Sequence, residues 1–310
     1  MTTPLISVVV PTYKAGPLLW EALESVQAQT APDWEAVVVA DGIKVDRTHL
    51  PTHPTRTRVL EIPRRGVCRA RNFAIAATSS PWIASLDDDD LWLPTKLETQ
   101  LAICEQRGDA AICFTGAALV DSGRIYAELK PPLVTYSSLL ADQYPLRASS
   151  LLFRRSALDD CGIFDPLYPL AQDFDLVLRI ARHYNLVGTT EVLVHHRWHE
   201  GNASHRYLAQ YRETQEILSK HLRLAHERGE VEVCHAIESG ISAREKGFAR
   251  STYRRSALAW KRHEPCAAAR HLLRAFQFSP SETARLVFRS ALRHLTAIDG
   301  SPHRSSRGKG

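Results

Sequence analysis

Four consecutive aspartates, Asp87 to Asp90, directly follow a short apolar run that ends at Leu86. Like charges this close repel one another, so a fold that keeps them together must compensate their charge. A divalent cation would do so, because Mg²⁺ and Mn²⁺ prefer hard oxygen ligands and Mg²⁺ completes its shell with substrate phosphates. The run therefore indicates a metal–diphosphate site. The alternative is a solvated acidic turn that caps a helix beginning near Pro94.

Alternating strand and helix patterns surround this run and must position it. They are the apolar, β-branched strands 6–10, 34–40, 58–62 and 82–86 and the amphipathic helices 18–29 and 68–77. This alternation predicts an α/β fold with a doubly wound, mostly parallel sheet. Ligands of such sheets bind outside the carboxyl ends of the strands, where Thr12, Asp41 and Asp87 emerge. No Gly-x-Gly-x-x-Gly follows the first strand, which argues against a dinucleotide-dependent dehydrogenase.

Downstream patterns predict further elements and a change of character in the last third of the chain. They are a helix at 96–107, a strand at 110–118, an irregular segment over the site at 121–146, a strand at 151–153, a helix at 173–184, a strand at 191–194 and near-continuous helix beyond 205. We therefore divide the chain into an α/β domain at 1–205, a basic helical region at 206–298 and a basic tail at 299–310, which we expect to be disordered. Residues 1–200 carry 19 Lys and Arg against 24 Asp and Glu, whereas residues 201–310 carry 20 against 10.

The composition is that of an ordinary globular protein, with 44% apolar and 24% charged residues. Six cysteines without Cys-x-x-Cys pairing or zinc spacing favour a reduced compartment. The N-terminus lacks a basic region followed by a long apolar one, and no stretch approaches the roughly 20 apolar residues that span a membrane. We therefore expect a cytoplasmic protein.

Three further groups of residues accompany the aspartate run. Asp41 ends the second predicted strand, where its carboxylate can accept from a nucleobase N–H or a ribose hydroxyl. A glycine turn at Gly66 leads into a helix that carries Arg71, which suits an anionic or nucleotide ligand. Asp173 begins another predicted helix, and His199 follows in an Arg-Trp-His-Glu-Gly-Asn sequence.

In this order the motifs resemble those of the family 2 glycosyltransferases, a large group of inverting, metal-dependent enzymes that use nucleotide sugars and have a GT-A fold. The motifs are ISVVVPTY at 6–13, ARN at 70–72, LDDDDLWLP at 86–94, GIFD at 162–165 and RWHEGN at 197–202. They cover roughly the first two-thirds of the chain. The resemblance implies a GT-A type, Rossmann-like sheet flanked by helices, with a helical C-terminal extension.

The resemblance implies a donor site in which the exit of the first strand lines the nucleoside pocket. The donor-binding residues that it implies are Pro11, Thr12, Tyr13, Asp41, Arg71, Asp87 and Asp88. Tyr13 would stack on the base or else pack at a loop, and Arg71 would contact the base or diphosphate or else lie on a helix surface. Ala40 stands where the family commonly has a second acidic residue, so one ribose or base contact is missing or moved.

The resemblance also implies the metal and catalytic residues. Asp89 is the expected direct ligand of Mg²⁺ or Mn²⁺, and Asp90 is expected to cap the next helix. His199 would bind phosphate or metal, or else be structural. The metal would neutralise the departing nucleoside diphosphate. Asp173 occupies the position of the family's base, which removes the proton of the acceptor hydroxyl, with a helix N-cap as the alternative. A single displacement with one base inverts the anomeric centre.

Acceptor contacts are expected near this base. Gln172 replaces the acidic residue that usually precedes the base in the family, so it can hydrogen-bond an acceptor but cannot share charge. For Ser149 and Ser150 the sequence allows two roles: a contact with the acceptor or a structural hydrogen bond. Neither Gln172 nor Ala40 removes the metal run or the base, so we expect an active enzyme.

Arginines are interleaved with apolar residues in the C-terminal helical pattern. They are Arg270, Arg274, Arg285, Arg289 and Arg293, among Leu272, Leu273, Phe276, Leu286, Val287 and Phe288. One interpretation is a set of helices that pack on the α/β domain and keep a solvated basic face. The other is peripheral contact with anionic lipid at the inner face of the membrane, near a lipid-linked acceptor. Nucleic acid is not expected, because no binding motif or aromatic platform accompanies the charge.

The sequence thus predicts the inverting transfer of a sugar from a nucleoside-diphosphate sugar, a UDP-sugar first, to a glycan or lipid-linked saccharide. A nucleotidyltransferase would be expected to have a Gly-rich loop with a lysine or arginine directly after the first strand. The sequence there, Thr12-Tyr13-Lys14-Ala15-Gly16, is a poor match. A non-catalytic nucleotide-sugar-binding or assembly protein remains the other alternative. Metal-dependent donor hydrolysis would separate the enzyme from the binder.

Overall fold

The computed structural model describes residues 3–50, 56–132, 134–141, 146–199 and 206–299, with side chains described up to residue 290. Contacts divide the chain into two compact units, 1–234 and 235–310. The first unit is a mixed α/β structure and the second is helical. Apart from its first residue, the predicted tail at 299–310 lies outside the described residues.

One sheet organises the first unit. Within the described ranges its strands are β1 Ile6–Thr12, β2 Trp34–Asp41, β3 Thr57–Ile62, β4 Trp82–Ser85, β5 Leu91–Trp92, β6 Ala110–Asp121, β7 Arg124–Leu129, β8 Leu151–Arg154 and β9 Asn185–Trp198. Their order is β3-β2-β1-β4-β8-β6-β9-β5, and β7 pairs with β6. The sheet is parallel from β3 to β4 and between β6 and β9, and antiparallel in the other pairings. The predicted α/β class is confirmed, with a mixed sheet beyond β4.

Helices flank this sheet and continue through the C-terminal region. They are α1 Pro17–Gln27, α2 Val67–Ala76, α3 Lys96–Gln106, α4 Tyr136–Leu140, α5 Arg155–Cys161, α6 Gln172–Ala181, α7 Tyr207–Glu227, α8 Val231–Lys261, α9 Pro265–Phe278 and α10 Pro280–Asp299. The core beneath α1 is formed by its buried Leu19, Leu23 and Val26 and by the buried strands β1, β2 and β4. Burial of both faces explains why these strands read as continuous apolar runs.

The parallel register brings the chemically important residues to one edge of the sheet. Pro11 is buried near the end of β1, and Thr12 pairs with Ala40 of β2. Asp41 is the last residue of β2, and Asp87 follows β4 after Leu86. Because β1, β2 and β4 run parallel, their carboxyl ends meet at this edge, as the sequence predicts.

The segment 121–146 contains more regular structure than the sequence predicts. Ser122 and Gly123 have φ values of 48° and 78°, a left-handed turn that joins β6 and β7 in a hairpin. The apolar pattern misses β7 because its large apolar side chains, Ile125 and Tyr126, face solvent. Part of the expected loop is therefore an additional edge strand.

The first unit extends to Cys234 rather than ending near residue 205. A buried polar network attaches α7 to it. The Tyr136 hydroxyl lies 2.9 Å from His221 Nδ1, and Arg182 donates to that hydroxyl at 3.0 Å and to both carboxylate oxygens of Glu230 at 2.8 and 2.7 Å. Burial lowers the pKa of His221 to about 4, which favours its neutral imidazole. Helical composition alone does not show to which unit a helix belongs.

The second unit consists of α8 from His235 onward together with α9 and α10. Within it the Phe248 and Phe278 ring centroids lie 5.8 Å apart, and Ser256 donates to the Ala268 carbonyl at 2.8 Å. Among the residues that the structure describes, no helix combines the length and the apolar character needed to cross a membrane.

Candidate active site

The aspartate run forms a fixed loop between β4 and β5. The Leu86 N–H donates to Val9 O at 3.1 Å, and the Asp90 N–H donates to Asp87 O at 3.1 Å. Ser149 closes the loop, because its hydroxyl accepts from the Asp87 N–H at 3.0 Å and donates to Asp90 Oδ2 at 2.6 Å. The loop is therefore held by hydrogen bonds from two other elements, and the alternative of a solvated acidic turn is wrong.

Asp90 differs from the helix cap that the sequence predicts. It is completely buried, and its Oδ1 binds His196 Nδ1 at 2.9 Å and the Arg197 N–H at 3.2 Å. Burial lowers the pKa of His196, but the hydrogen bond and charge of Asp90 outweigh it, so the net shift is upward. The next helix, α3, begins only at Lys96 and has Thr95 as its N-cap. The cap prediction is wrong, because Asp90 precedes β5 and joins the loop to β9.

Arg71 connects the aspartate run to α2. Its side chain is 1% exposed, its Nη2 pairs with Asp87 Oδ1, and its guanidinium carbon lies 5.2 Å from the Phe164 ring centroid. Asn72 fixes Phe164 through both backbone groups, at 2.7 and 3.1 Å. The Nε and Nη1 of Arg71 are buried without a hydrogen-bond partner among the described residues, which is costly unless a ligand supplies one. The surface-helix alternative for Arg71 is wrong.

Three carboxylates of the run converge. Asp87, Asp89 and Asp90 each offer an oxygen, and these atoms lie within 4.8 Å of one another. Burial, followed by the charges of the neighbouring aspartates, raises the pKa of Asp89 to about 8. Burial also raises the pKa of Asp87, although Arg71 opposes the shift. A divalent cation would relieve this repulsion, and carboxylates are the ligands that Mg²⁺ and Mn²⁺ prefer, so the donor set fits such an ion.

His199 and Asp88 flank this cluster in different ways. His199 Nε2 lies 2.9 Å from Asp89 Oδ2. Burial and the charge of Lys14 lower the pKa of His199, which favours the neutral imidazole that metal ligation requires. Asp88 instead accepts from Thr12 Oγ1 at 2.5 Å, and burial raises its pKa to about 6. His199 thus adjoins the predicted metal ligand, whereas Asp88 contacts the end of β1.

The expected nucleoside pocket lies at the ends of β1 and β2. Tyr13 is 50% exposed, and the Arg64 guanidinium carbon lies 4.8 Å from its ring centroid. The Asp41 carboxylate accepts from the Arg65 N–H at 2.5 Å and from the Gly66 N–H at 2.8 Å. Asp41 therefore holds the turn into α2, and only its remaining lone pairs are open to a nucleobase.

Asp173 is the second residue of α6, and Ala171 is the N-cap, so the N-cap alternative for Asp173 is wrong. The side chain is half-buried, and its Oδ1 accepts from the next backbone N–H at 2.9 Å. Burial is the main cause of the raised pKa of Asp87, and the charge of Asp173 adds a small contribution in the same direction. The Oε1 of Gln172 accepts from Cys68 Sγ at 3.3 Å, which ties the start of α6 to α2.

The position of Ser150 contradicts the acceptor contact predicted for it. Ser150 is completely buried. Its hydroxyl donates to Arg147 O at 2.7 Å and accepts from the Arg147 N–H at 3.3 Å, while Gln100 donates to its carbonyl at 3.0 Å. Ser150 therefore makes structural hydrogen bonds, the alternative to acceptor binding, because its hydroxyl is already bonded within the turn before β8.

Two residues of β9 fix the site: Arg197, for which the sequence leaves open a contact with phosphate or metal or packing on Trp198, and His196, which sequence reasoning missed. The Arg197 Nε donates to Asp89 O at 2.5 Å, and its Nη1 pairs with Glu21 of α1. His196 binds the buried Asp90 as described above. Arg197 belongs to the RWHEGN motif, of which residues 200–202 lie outside the described residues, and His196 directly precedes that motif.

Two solved structures share this fold. Residues 1–349 of Staphylococcus aureus TarS in complex with UDP-GlcNAc match with a TM-score of 0.62 and 19% identity over 91% of this chain and 83% of that chain. The mannosyltransferase PcManGT from Pyrobaculum calidifontis, in complex with GDP-Man and Mn²⁺, matches with a TM-score of 0.59 and 21% identity over 95% of this chain and 81% of that chain. The fold is thus that of the GT-A glycosyltransferases.

Sequence comparison specifies the family. The model described as glycosyl transferase family 2 matches residues 7–162, half of the chain, and the protein belongs to that family. An uncharacterized glycosyltransferase of Rickettsia bellii is 27% identical over 231 residues, which are 71% of this chain but only 34% of the relative's length. WcaA of Escherichia coli K12, named for a role as a colanic acid biosynthesis glycosyl transferase, is 28% identical over 58% of this chain and 67% of its own length.

Proposed function

We propose that this protein is an inverting hexosyltransferase that moves a sugar from a nucleoside-diphosphate sugar, a UDP-sugar, to a glycan or lipid-linked saccharide. The observation that carries the proposal is the convergence of three carboxylates of the aspartate run, with Arg71 bound to the first of them. The cluster suits a cation and a diphosphate, and Asp173 suits a general base. Family membership supports the combination.

The donor side of the site suits a nucleoside diphosphate. The exposed Tyr13 ring offers a stacking surface for a base, and Asp88 with Thr12 offers polar groups for a ribose. Arg71 offers two buried nitrogens without a hydrogen-bond partner, Nε and Nη1, to the diphosphate. The complex of TarS with UDP-GlcNAc supports a UDP-sugar, and the complex of PcManGT with GDP-Man makes a GDP-sugar the donor to compare with it.

Asp87, Asp89 and Asp90 would hold Mg²⁺ or Mn²⁺, with His199 beside Asp89. When bound, the ion supplies a Lewis acid that neutralises the departing nucleoside diphosphate. The Mn²⁺ in the PcManGT complex supports this assignment.

Asp173 would carry the other half of the reaction. Its carboxylate takes the proton of the acceptor hydroxyl while that oxygen bonds to the anomeric carbon, and the bond from this carbon to the diphosphate oxygen breaks. One displacement from the face opposite the leaving group inverts the anomeric configuration. The partial exposure of the Asp173 side chain supports this role, because the acceptor hydroxyl must be able to reach the base.

A nucleotide-release assay across UDP-, GDP- and dTDP-sugars with Mn²⁺ tests the proposal, with UDP-GlcNAc as the first donor. We expect slow release from one donor that EDTA abolishes, because water replaces the acceptor hydroxyl when no acceptor is present. Silence across all donors, with no thermal stabilisation by UDP, GDP or dTDP, would favour the non-catalytic protein. Pyrophosphate release from a nucleoside triphosphate would favour the nucleotidyltransferase.

The second unit offers a surface suited to an anionic membrane, where a lipid-linked acceptor would lie. Each of its helices exposes apolar side chains close in sequence to exposed arginines. These are Leu258 and Trp260 on α8 with Arg254 on the same helix and Arg262 directly after it, Leu273 and Phe276 with Arg270 and Arg274 on α9, and Phe288 with Arg285 and Arg289 on α10. Apolar side chains enter the headgroup region and arginines attract anionic lipids, which supports a peripheral site at the cytoplasmic face of the membrane.

Vesicle flotation tests this contact. The protein is expected to float with phosphatidylcholine–phosphatidylglycerol vesicles and not with phosphatidylcholine alone, and high salt should weaken the binding. The double variant Leu273→Ser, Phe288→Ser should bind less, whereas the control Ile125→Ser, Tyr126→Ser, at exposed apolar residues of β7, should bind normally. Failure of the wild type to float, or equal binding by the first variant, would contradict the proposal. Loss of a dimer in the first variant would instead assign this surface to a second copy.

A further inference from the structure

The helix that carries Asp173 lacks a cap from its own sequence. α6 begins at Gln172, and its N-cap, Ala171, has no side-chain acceptor. The first backbone N–H groups of a helix have no partner inside the helix, so they require an acceptor from elsewhere.

Glu213 of α7 supplies an acceptor to the backbone directly before the helix. Its Oε2 accepts from the Leu170 N–H at 2.7 Å and from the Ala171 N–H at 3.0 Å. About one turn earlier on α7, Gln210 Nε2 donates to Leu170 O at 3.2 Å. The two side chains therefore hold this stretch of backbone through its donors and its acceptor, and a carboxylate at the positive end of α6 is also electrostatically favourable.

The later turns of α6 are anchored independently of α7. Asp175 is completely buried and accepts from Arg179 Nε at 2.9 Å and Nη2 at 2.8 Å. Arg179 Nη2 also donates to Ile163 O at 2.7 Å. At the start of the helix the corresponding contact with α2 is only a thiol, that of Cys68 with Gln172, and a thiol is a weak donor. The backbone that leads into the first turn is therefore held by side chains of α7.

We propose that Glu213 is a positioning residue for Asp173. By fixing the backbone that immediately precedes α6, it holds the Asp173 carboxylate at the place where a base must meet the acceptor hydroxyl. This inference rests on the proposed function, in which Asp173 is the base. The expected effect on the rate is large, because a misplacement of about 1 Å at a reacting group can lower the rate on the order of 100-fold. α7, although outside the residues matched by the family model, then belongs to the machinery of the reaction.

Kinetics of three variants test the role. We measure nucleotide release with Mn²⁺ from UDP-GlcNAc, or from whichever donor is turned over fastest, in Glu213→Ala, Glu213→Gln and the control Glu216→Ala, an exposed glutamate of the same helix. Glu213→Ala should lower kcat about 100-fold with little change in the KM of the donor, because the donor contacts lie on other elements. Glu213→Gln keeps an oxygen that can accept both hydrogen bonds and should recover most of the rate. Glu216→Ala should match the wild type.

Amide hydrogen exchange over residues 168–175 tests the hydrogen bonds of Glu213 to the backbone independently of the effect on kcat. Exchange should be faster in Glu213→Ala than in the wild type or in Glu216→Ala. Unchanged exchange would overturn the cap, and faster exchange with an unchanged kcat would overturn the positioning role. A wild type that turns over no donor would overturn the proposed function and, with it, the positioning role, whereas the exchange result would still report on the cap.

Discussion

The substitution Asp173→Asn is expected to lower donor turnover by roughly 10²–10⁴-fold, the usual contribution of a general base. Asparagine has the shape of aspartate and can still accept the hydrogen bond from the next backbone N–H, but it cannot take a proton. The KM of the donor should change little, because the proposed donor contacts lie on β1, β2, α2 and the aspartate loop. Steady-state nucleotide release over a range of donor concentrations measures both quantities.

Asp159→Asn is the matched control for this experiment, because it removes an exposed carboxylate of α5. It should leave kcat and KM at their wild-type values. A wild-type rate in Asp173→Asn would place the base elsewhere. A raised KM with an unchanged kcat would assign Asp173 to donor binding instead.

Asp89→Asn should weaken Mn²⁺ binding by at least about 100-fold, because even a residue that only orients a metal ligand commonly contributes 10- to 100-fold to affinity. Asp89 belongs to the converging carboxylates and adjoins His199, so its loss removes a central ligand. The affinity is measured from the electron paramagnetic resonance signal of free Mn²⁺ in a titration, with and without UDP. This readout does not require turnover.

Asp88→Asn is the internal comparison, because Asp88 is hydrogen-bonded to Thr12 and is not among the three converging carboxylates. We expect a smaller loss of Mn²⁺ affinity and a larger effect on nucleotide binding. If Asp88→Asn weakened Mn²⁺ binding as strongly as Asp89→Asn, the ion would lie closer to β1 than we propose.

Much of the fold follows from local signals in the sequence. β1, β2 and β4 are buried runs of Val, Ile and Ala, so the apolar pattern locates their carboxyl ends and hence the edge that carries the site. β9 is different, because only its middle reads as a strand. Its first half contains Gly188, where an added Cβ would lie 2.4 Å from the Phe114 ring, so close packing against β6 requires a residue without strand propensity.

The organisation of the site is harder to predict, because it depends on residues far apart in the chain. Ser149 and Asp90 are 59 positions apart, and His196 and Asp90 are 106 positions apart. The sequence of four consecutive aspartates does not show that the last of them, Asp90, is buried against β9. The carboxylate that caps α6 is similarly hidden, because Glu213 lies 42 positions beyond Ala171 in a segment that reads only as charged helix.

The pairing of Arg182 with Glu230 bears on how the protein should be shortened for study. A fragment that ended at residue 205 would lack α7, which packs against α4 and α6. It would also leave Arg182, whose side chain is 9% exposed, without its partner Glu230. It would also lack the Glu213 carboxylate, which accepts from the Leu170 and Ala171 N–H groups directly before α6. Loss of activity in a fragment of that length would therefore indicate misfolding and not the lack of a catalytic site. A shortened protein for kinetics should extend at least through Cys234.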